Sequence, residues 1–164
     1  MINESITGVI NIKGIIPQFA LKEFDADGQL EEASPEDMIS LISSVTSEFG
    51  EGGLRYSFNP SGRDLQIKVV DLDVEIQVSN LSQHIDWDLE TKSDFLLLRS
   101  VMLKHLMFDS ETVMAMNEAH PNIKLYLKNE RLVIEEAYYL SYGVSILNLM
   151  DRLSAYLNTL STVE

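Results

Sequence analysis

The chain has 164 residues, the size of one domain, and 45% of them are hydrophobic, which excludes global disorder. Its 26 acidic and 12 basic residues leave a formal charge of −14, so nucleic acid and membrane surfaces are not expected partners. With no cysteine, disulfides, thiolate zinc sites and cysteine nucleophiles are excluded.

Met1–Ser5 has neither the basic n-region nor the apolar h-region of a signal peptide. The densest apolar run, Phe95 to Phe108, is interrupted by Arg99, Ser100, Lys104 and His105, and falls short of the roughly 20 apolar residues that span a bilayer. The expected address is the cytoplasm.

Residues 1–33 read as an N-terminal β extension with an acidic tail. Ile6, Val9, Ile10, Ile12, Ile15 and Ile16 are β-branched, and Pro17 sets an edge or bend. The acids from Glu23 to Asp37, uninterrupted by any base, are expected to be solvated. Glu23-x-Asp25-x-Asp27-Gly28 brushes against a calcium loop, but Ser34 stands where a bidentate glutamate is needed. An acidic turn with Gly28 at positive φ is the expectation there.

Residues 34–164 read as one α+β domain. Ser34-Pro35-Glu36-Asp37 is a helix start with an N-cap, a proline in the first turn and a capping box. Met38, Leu41, Ile42, Val45 and Phe49 mark one helical face, which Gly50, Gly52 and Gly53 end. Leu54–Phe58, then Leu65/Ile67/Val69 and Val74/Ile76/Val78 at period two, predict an antiparallel meander. Residues 80–91 read as a loop.

Ser93 or Asp94 is then expected to cap a helix that is apolar almost all round, over 94–108, with Asp109 or Ser110 restarting it. Its sheet covers one side, and a second copy is the economical cover for the other. Phe95, Leu98, Met102 and Leu106 are the expected dimer contacts, and Leu98→Asp is expected to give monomeric or insoluble protein. The strands Ile123–Lys128 and Arg131–Leu140 form a hairpin at Asn129-Glu130, and Ser145 caps a closing helix with Ile146, Leu149, Met150, Leu153, Leu157 and Leu160 inward. The predicted order from residue 34 is α-β-β-β-α-β-β-α, with helices packed on an antiparallel sheet.

Catalytic patterns are absent from the sequence. His84, His105 and His120 lack metal-site spacing, and no nucleophile elbow, phosphate loop or dinucleotide fingerprint is present. Glu135 and Glu136, as strand neighbours, point to opposite faces and cannot act on one substrate atom. Trp87 either folds back on the core or, with Ile85, stands out as an aromatic anchor for a partner.

Asn117-Glu118-Ala119 before a Pro-Asn turn, Ile123-Lys124-Leu125-Tyr126-Leu127, a short turn, Arg131-Leu132-Val133-Ile134-Glu135, and Gly143-Val144-Ser145 opening the last helix resemble the YbjN family, whose fold is like that of the type III secretion chaperones. The resemblance covers about residues 34–160 and leaves 1–33 without a counterpart. It implies a small acidic homodimer that holds other proteins along apolar patches and strand edges, without cofactor, metal or catalysis. A stress or sensory regulator, or an immunity-type protein that blocks one folded partner with its acidic surface, is the alternative. A small-molecule binder or enzyme, with a site on the sheet's open face, is the third class.

Overall fold

The computed structural model describes residues 6–10, 24–25, 27–59, 64–82, 88, 90–102 and 109–162. Strand β1 (Ile6–Ile10) is followed by the short β2 (Gln29–Leu30) and by helix α1 (Pro35–Thr46). The expected capping box is present: Ser34 Oγ accepts the Asp37 N–H at 3.1 Å, and the Asp37 carboxylate accepts the Ser34 N–H at 2.9 Å. That reciprocity, with packing around the cap, buries Glu36 and Asp37. The acidic stretch is therefore solvated only in part, with Asp25, Asp27, Glu31 and Glu32 exposed.

The calcium-like segment is a tight turn. Asp25 takes the Asp27 N–H on its side chain at 3.0 Å and the Gly28 N–H on its carbonyl at 2.9 Å. Gly28 is not among the positive-φ residues, so this turn is closed by hydrogen bonds without a left-handed glycine.

Strands β3 (Leu54–Asn59), β4 (Asp64–Val69) and β5 (Val74–Asn80) form the expected meander. The next element corrects the sequence reading. Phe95–Val101 is a strand, β6, and it pairs antiparallel with β5. Its burial alternates: Leu96, Leu98 and Ser100 are buried while Phe95, Leu97 and Arg99 are half-buried. The helix is the later one, α2 (Ser110–Ala119), with Asp109 as N-cap accepting the Thr112 N–H at 2.7 Å.

Strands β7 (Lys124–Lys128) and β8 (Arg131–Tyr139) form the predicted hairpin. Asn129 and Glu130 take φ of 51° and 65°, as a two-residue hairpin turn with matched twist requires. The short β9 (Val144–Ser145) pairs with β2. Helix α3 (Ile146–Thr162) follows, with Ser145 Oγ accepting the Asn148 N–H at 3.0 Å. Gly143 takes φ 90° at the corner before β9, a left-handed conformation that strains any side chain and suits glycine.

The main sheet has seven strands in the order β1-β3-β4-β5-β6-β8-β7, every neighbour antiparallel. The fold class is α+β, with helices packed on an antiparallel sheet, and from residue 34 the chain holds two strands more than the predicted order, β6 and the short β9. Register sets two faces. On the inner face Phe58, Leu65, Val78, Leu98 and Glu136 stand side by side across β3, β4, β5, β6 and β8. Helices α1 and α3 pack on each other and supply Met38, Leu41, Ile42, Leu153, Tyr156 and Leu160 to the same core. Tyr156 ties α3 down: its hydroxyl donates to the Ile134 carbonyl at 2.8 Å and lies 2.9 Å from Ser100 Oγ. Among the described residues no helix is long and apolar enough to cross a membrane.

Candidate functional site

The outer face of the sheet carries a polar row that crosses six strands: Ser57, Gln66, Gln77, Arg99, Glu135 and Lys124 are register partners in turn. At its β8–β7 end the row closes into a cluster. Arg99 Nε donates to Glu135 Oε1 at 2.7 Å, and the Tyr126 hydroxyl donates to the same oxygen. Lys124 Nζ lies 5.1 Å from the centre of the Tyr126 ring. Burial pushes the Glu135 carboxyl up, but hydrogen bonds from Tyr126 and Arg99 and the charges of Arg99 and Lys124 outweigh it and hold it below its usual range. The Tyr126 phenol is raised, chiefly because its proton is held by Glu135.

Beside this cluster lies a hollow of about 470 Å³, open to solvent, with Val101 and Val133 as floor and Arg99, Tyr126, Lys128 and Arg131 around it. A smaller hollow adjoins it, lined by Gln66, Glu75 and Gln77 and sharing Arg99 and Val101. Four of the chain's twelve basic residues (Arg99, Lys124, Lys128 and Arg131) thus meet at one end of one face.

The other end of β6 and β8 on this face is aromatic. Phe95 packs edge-on against its register partner Tyr139, with ring centres 5.3 Å apart at 77°. Tyr139 is 57% exposed, and Tyr142, just past the strand, is 96% exposed with φ 73°. Leu81, whose N–H donates to the Phe95 carbonyl, is also exposed.

The residues singled out from the sequence are not brought together in the expected way. Phe95 is on the outer face, whereas Leu98 and Met102 are buried inside their own chain. Leu98 sits between Val78 and Glu136, and the Met102 N–H donates to the Leu132 carbonyl at 2.9 Å. Over Phe95–Val101 the expected helical dimer face is instead a central strand. Leu106, Ile85 and Trp87 lie outside the described residues, as do His84 and His105. His120 is the C-cap of α2, its Nδ1 3.3 Å from Thr159 Oγ1.

On the inner face, Glu136 is buried, takes the Tyr138 hydroxyl at 2.8 Å and pairs with Arg152 Nε of α3 at 2.9 Å. Arg152 also donates to the Ala137 carbonyl and lies 4.3 Å over the Tyr138 ring. Burial raises the Glu136 carboxyl, and Tyr138 and Arg152 offset this only in part. The two adjacent glutamates do stand on opposite faces, each engaged by its own arginine and tyrosine.

Asn117, noted in the sequence only as part of a resemblance, acquires a physical role. Its side-chain amide donates to the Leu125 carbonyl at 2.7 Å and accepts the Leu125 N–H at 2.8 Å, which makes it a one-residue strand mimic on the free edge of β7. An asparagine four residues before a turn carries no such signal by spacing alone.

No protein-family model matches the chain, and no curated protein or solved structure matches it.

Proposed function

We propose that this chain is a non-enzymatic protein-binding module of the cytoplasm whose contact surface is the Phe95–Tyr139 end of its sheet's outer face together with exposed Tyr142 just past β8. The observation that carries this reading is Tyr142. A tyrosine held in the left-handed region costs on the order of 1–2 kcal/mol, and solvent exposure returns none of it. Exposed aromatics set beside one another are the anchors that partner surfaces bury. The titratable groups on the two faces support a binding role over catalysis, since Glu135 and Glu136 are each committed to partners within the fold.

Contact across the face also fits better than pairing at the β7 edge, because Asn117 occupies the Leu125 backbone groups there. The chaperone-like holding role, and the YbjN-like reading behind it, belong to this proposal. Photo-cross-linking from position 142 tests it in cells, with exposed Leu147 on α3 as the control position. The expected result is an adduct with a discrete protein from 142 alone. That protein, once purified, should bind the chain at least tenfold more weakly when Tyr139→Ser and Tyr142→Ser are combined. Equal adducts from both positions, or unchanged affinity, would contradict the reading.

A further inference from the structure

The cationic end of the outer face supports an inference independent of its aromatic end. Lys128 and Arg131 are register partners directly across the β7–β8 hairpin. Like charges directly opposite one another on a sheet are destabilising. Neither has an ion-pair partner among the described residues, in a chain whose acids outnumber its bases by fourteen. Glu135, the acid nearest in register, is already taken by Arg99 and Tyr126. Beside this unneutralised pair is the hollow floored by Val101 and Val133, and Val133 is only 3% exposed although it faces outward. At about 470 Å³ the hollow has the size of small-molecule sites, roughly 300–1,000 Å³, and exceeds what a bare ion fills.

We propose that this hollow binds a small organic anion, with its phosphate or carboxylate between Lys128 and Arg131 and its apolar or aromatic body over Val101, Val133 and Tyr126. The paired cations supply the charge and the valine floor selects against a fully hydrated ion. Arg99 closes one wall while remaining bound to Glu135.

The test is a titration of the ¹⁵N-labelled full chain with phenyl phosphate, benzoate, inorganic phosphate and benzylamine. Phenyl phosphate and benzoate should move the amides of Val101, Tyr126, Lys128, Arg131 and Val133. Phenyl phosphate should bind at least tenfold more tightly than inorganic phosphate, and benzylamine should leave these amides in place. Arg131→Glu should raise the Tm of the ligand-free protein, because it puts opposite charges in register, and should weaken phenyl phosphate binding at least tenfold. Lys128→Gln with Arg131→Gln gives the same reading of binding should the charge reversal disturb the hairpin. Equal affinity for phenyl phosphate and inorganic phosphate would overturn the organic body. Binding of benzylamine at the same amides, or unchanged binding in both variants, would overturn the site.

Discussion

Glu135 and Glu136 are neighbours in sequence with opposite surroundings, and their pH behaviour should differ in sign. Glu135 is held below its ordinary value, so its contribution to stability is present above the unfolded carboxyl value and is lost as pH falls through the folded one. Glu136 is raised, so its contribution is complete below the unfolded value and declines as pH rises through the folded one. Glu135→Gln removes a charged hydrogen-bonding partner and should cost about 1–3 kcal/mol at neutral pH, whereas Glu136→Gln should cost most at low pH, where the buried carboxyl is neutral. Urea unfolding across the acid range should show the Glu135→Gln cost shrinking as pH falls and the Glu136→Gln cost shrinking as pH rises. Tyr142 is the other residue whose energetics are local. Tyr142→Gly removes a left-handed tyrosine that packs on nothing, and should raise unfolding stability by up to about 1 kcal/mol by the same assay.

Among the elements, β6 separates what was legible in the sequence from what was not. The meander strands were readable because Leu65/Ile67/Val69 and Val74/Ile76/Val78 alternate with polar residues. In Phe95–Leu98 both faces are apolar, Leu96 and Leu98 toward the core and Phe95 and Leu97 outward, so period two is erased and a helix fits the run as well. The caps of α1 and α3 and the Asn129-Glu130 turn were legible because each rests on local chemistry. The clusters at Glu135 and Glu136 were not, since Arg99 is 36 residues from Glu135 and Arg152 is 16 from Glu136. Two substitutions test the elements. Leu98→Ala should cost about 2–5 kcal/mol as a core cavity, and light scattering should find the mass unchanged, contrary to a helical dimer seam. Asn117→Ala should cost about 1–3 kcal/mol and increase self-association, because it bares the Leu125 backbone on an edge strand.

At the scale of the whole molecule, one sheet serves two purposes. Its inner face is closed by α1 and α3 around Leu98, Tyr138 and Tyr156, so Leu96, Leu98 and Met102 of the apolar middle segment are hidden by their own chain. Its outer face keeps aromatic side chains at one end and basic ones at the other, on a protein that is otherwise strongly acidic. The like-charged register pair Lys128–Arg131, which costs stability, lies on that face. The most direct measurement is a titration of the purified cross-linked partner against the wild-type chain and Tyr142→Gly. Binding at least tenfold weaker, from a variant no less stable than the wild type, is the expected result; undiminished affinity would mean that the outer face is not the contact surface.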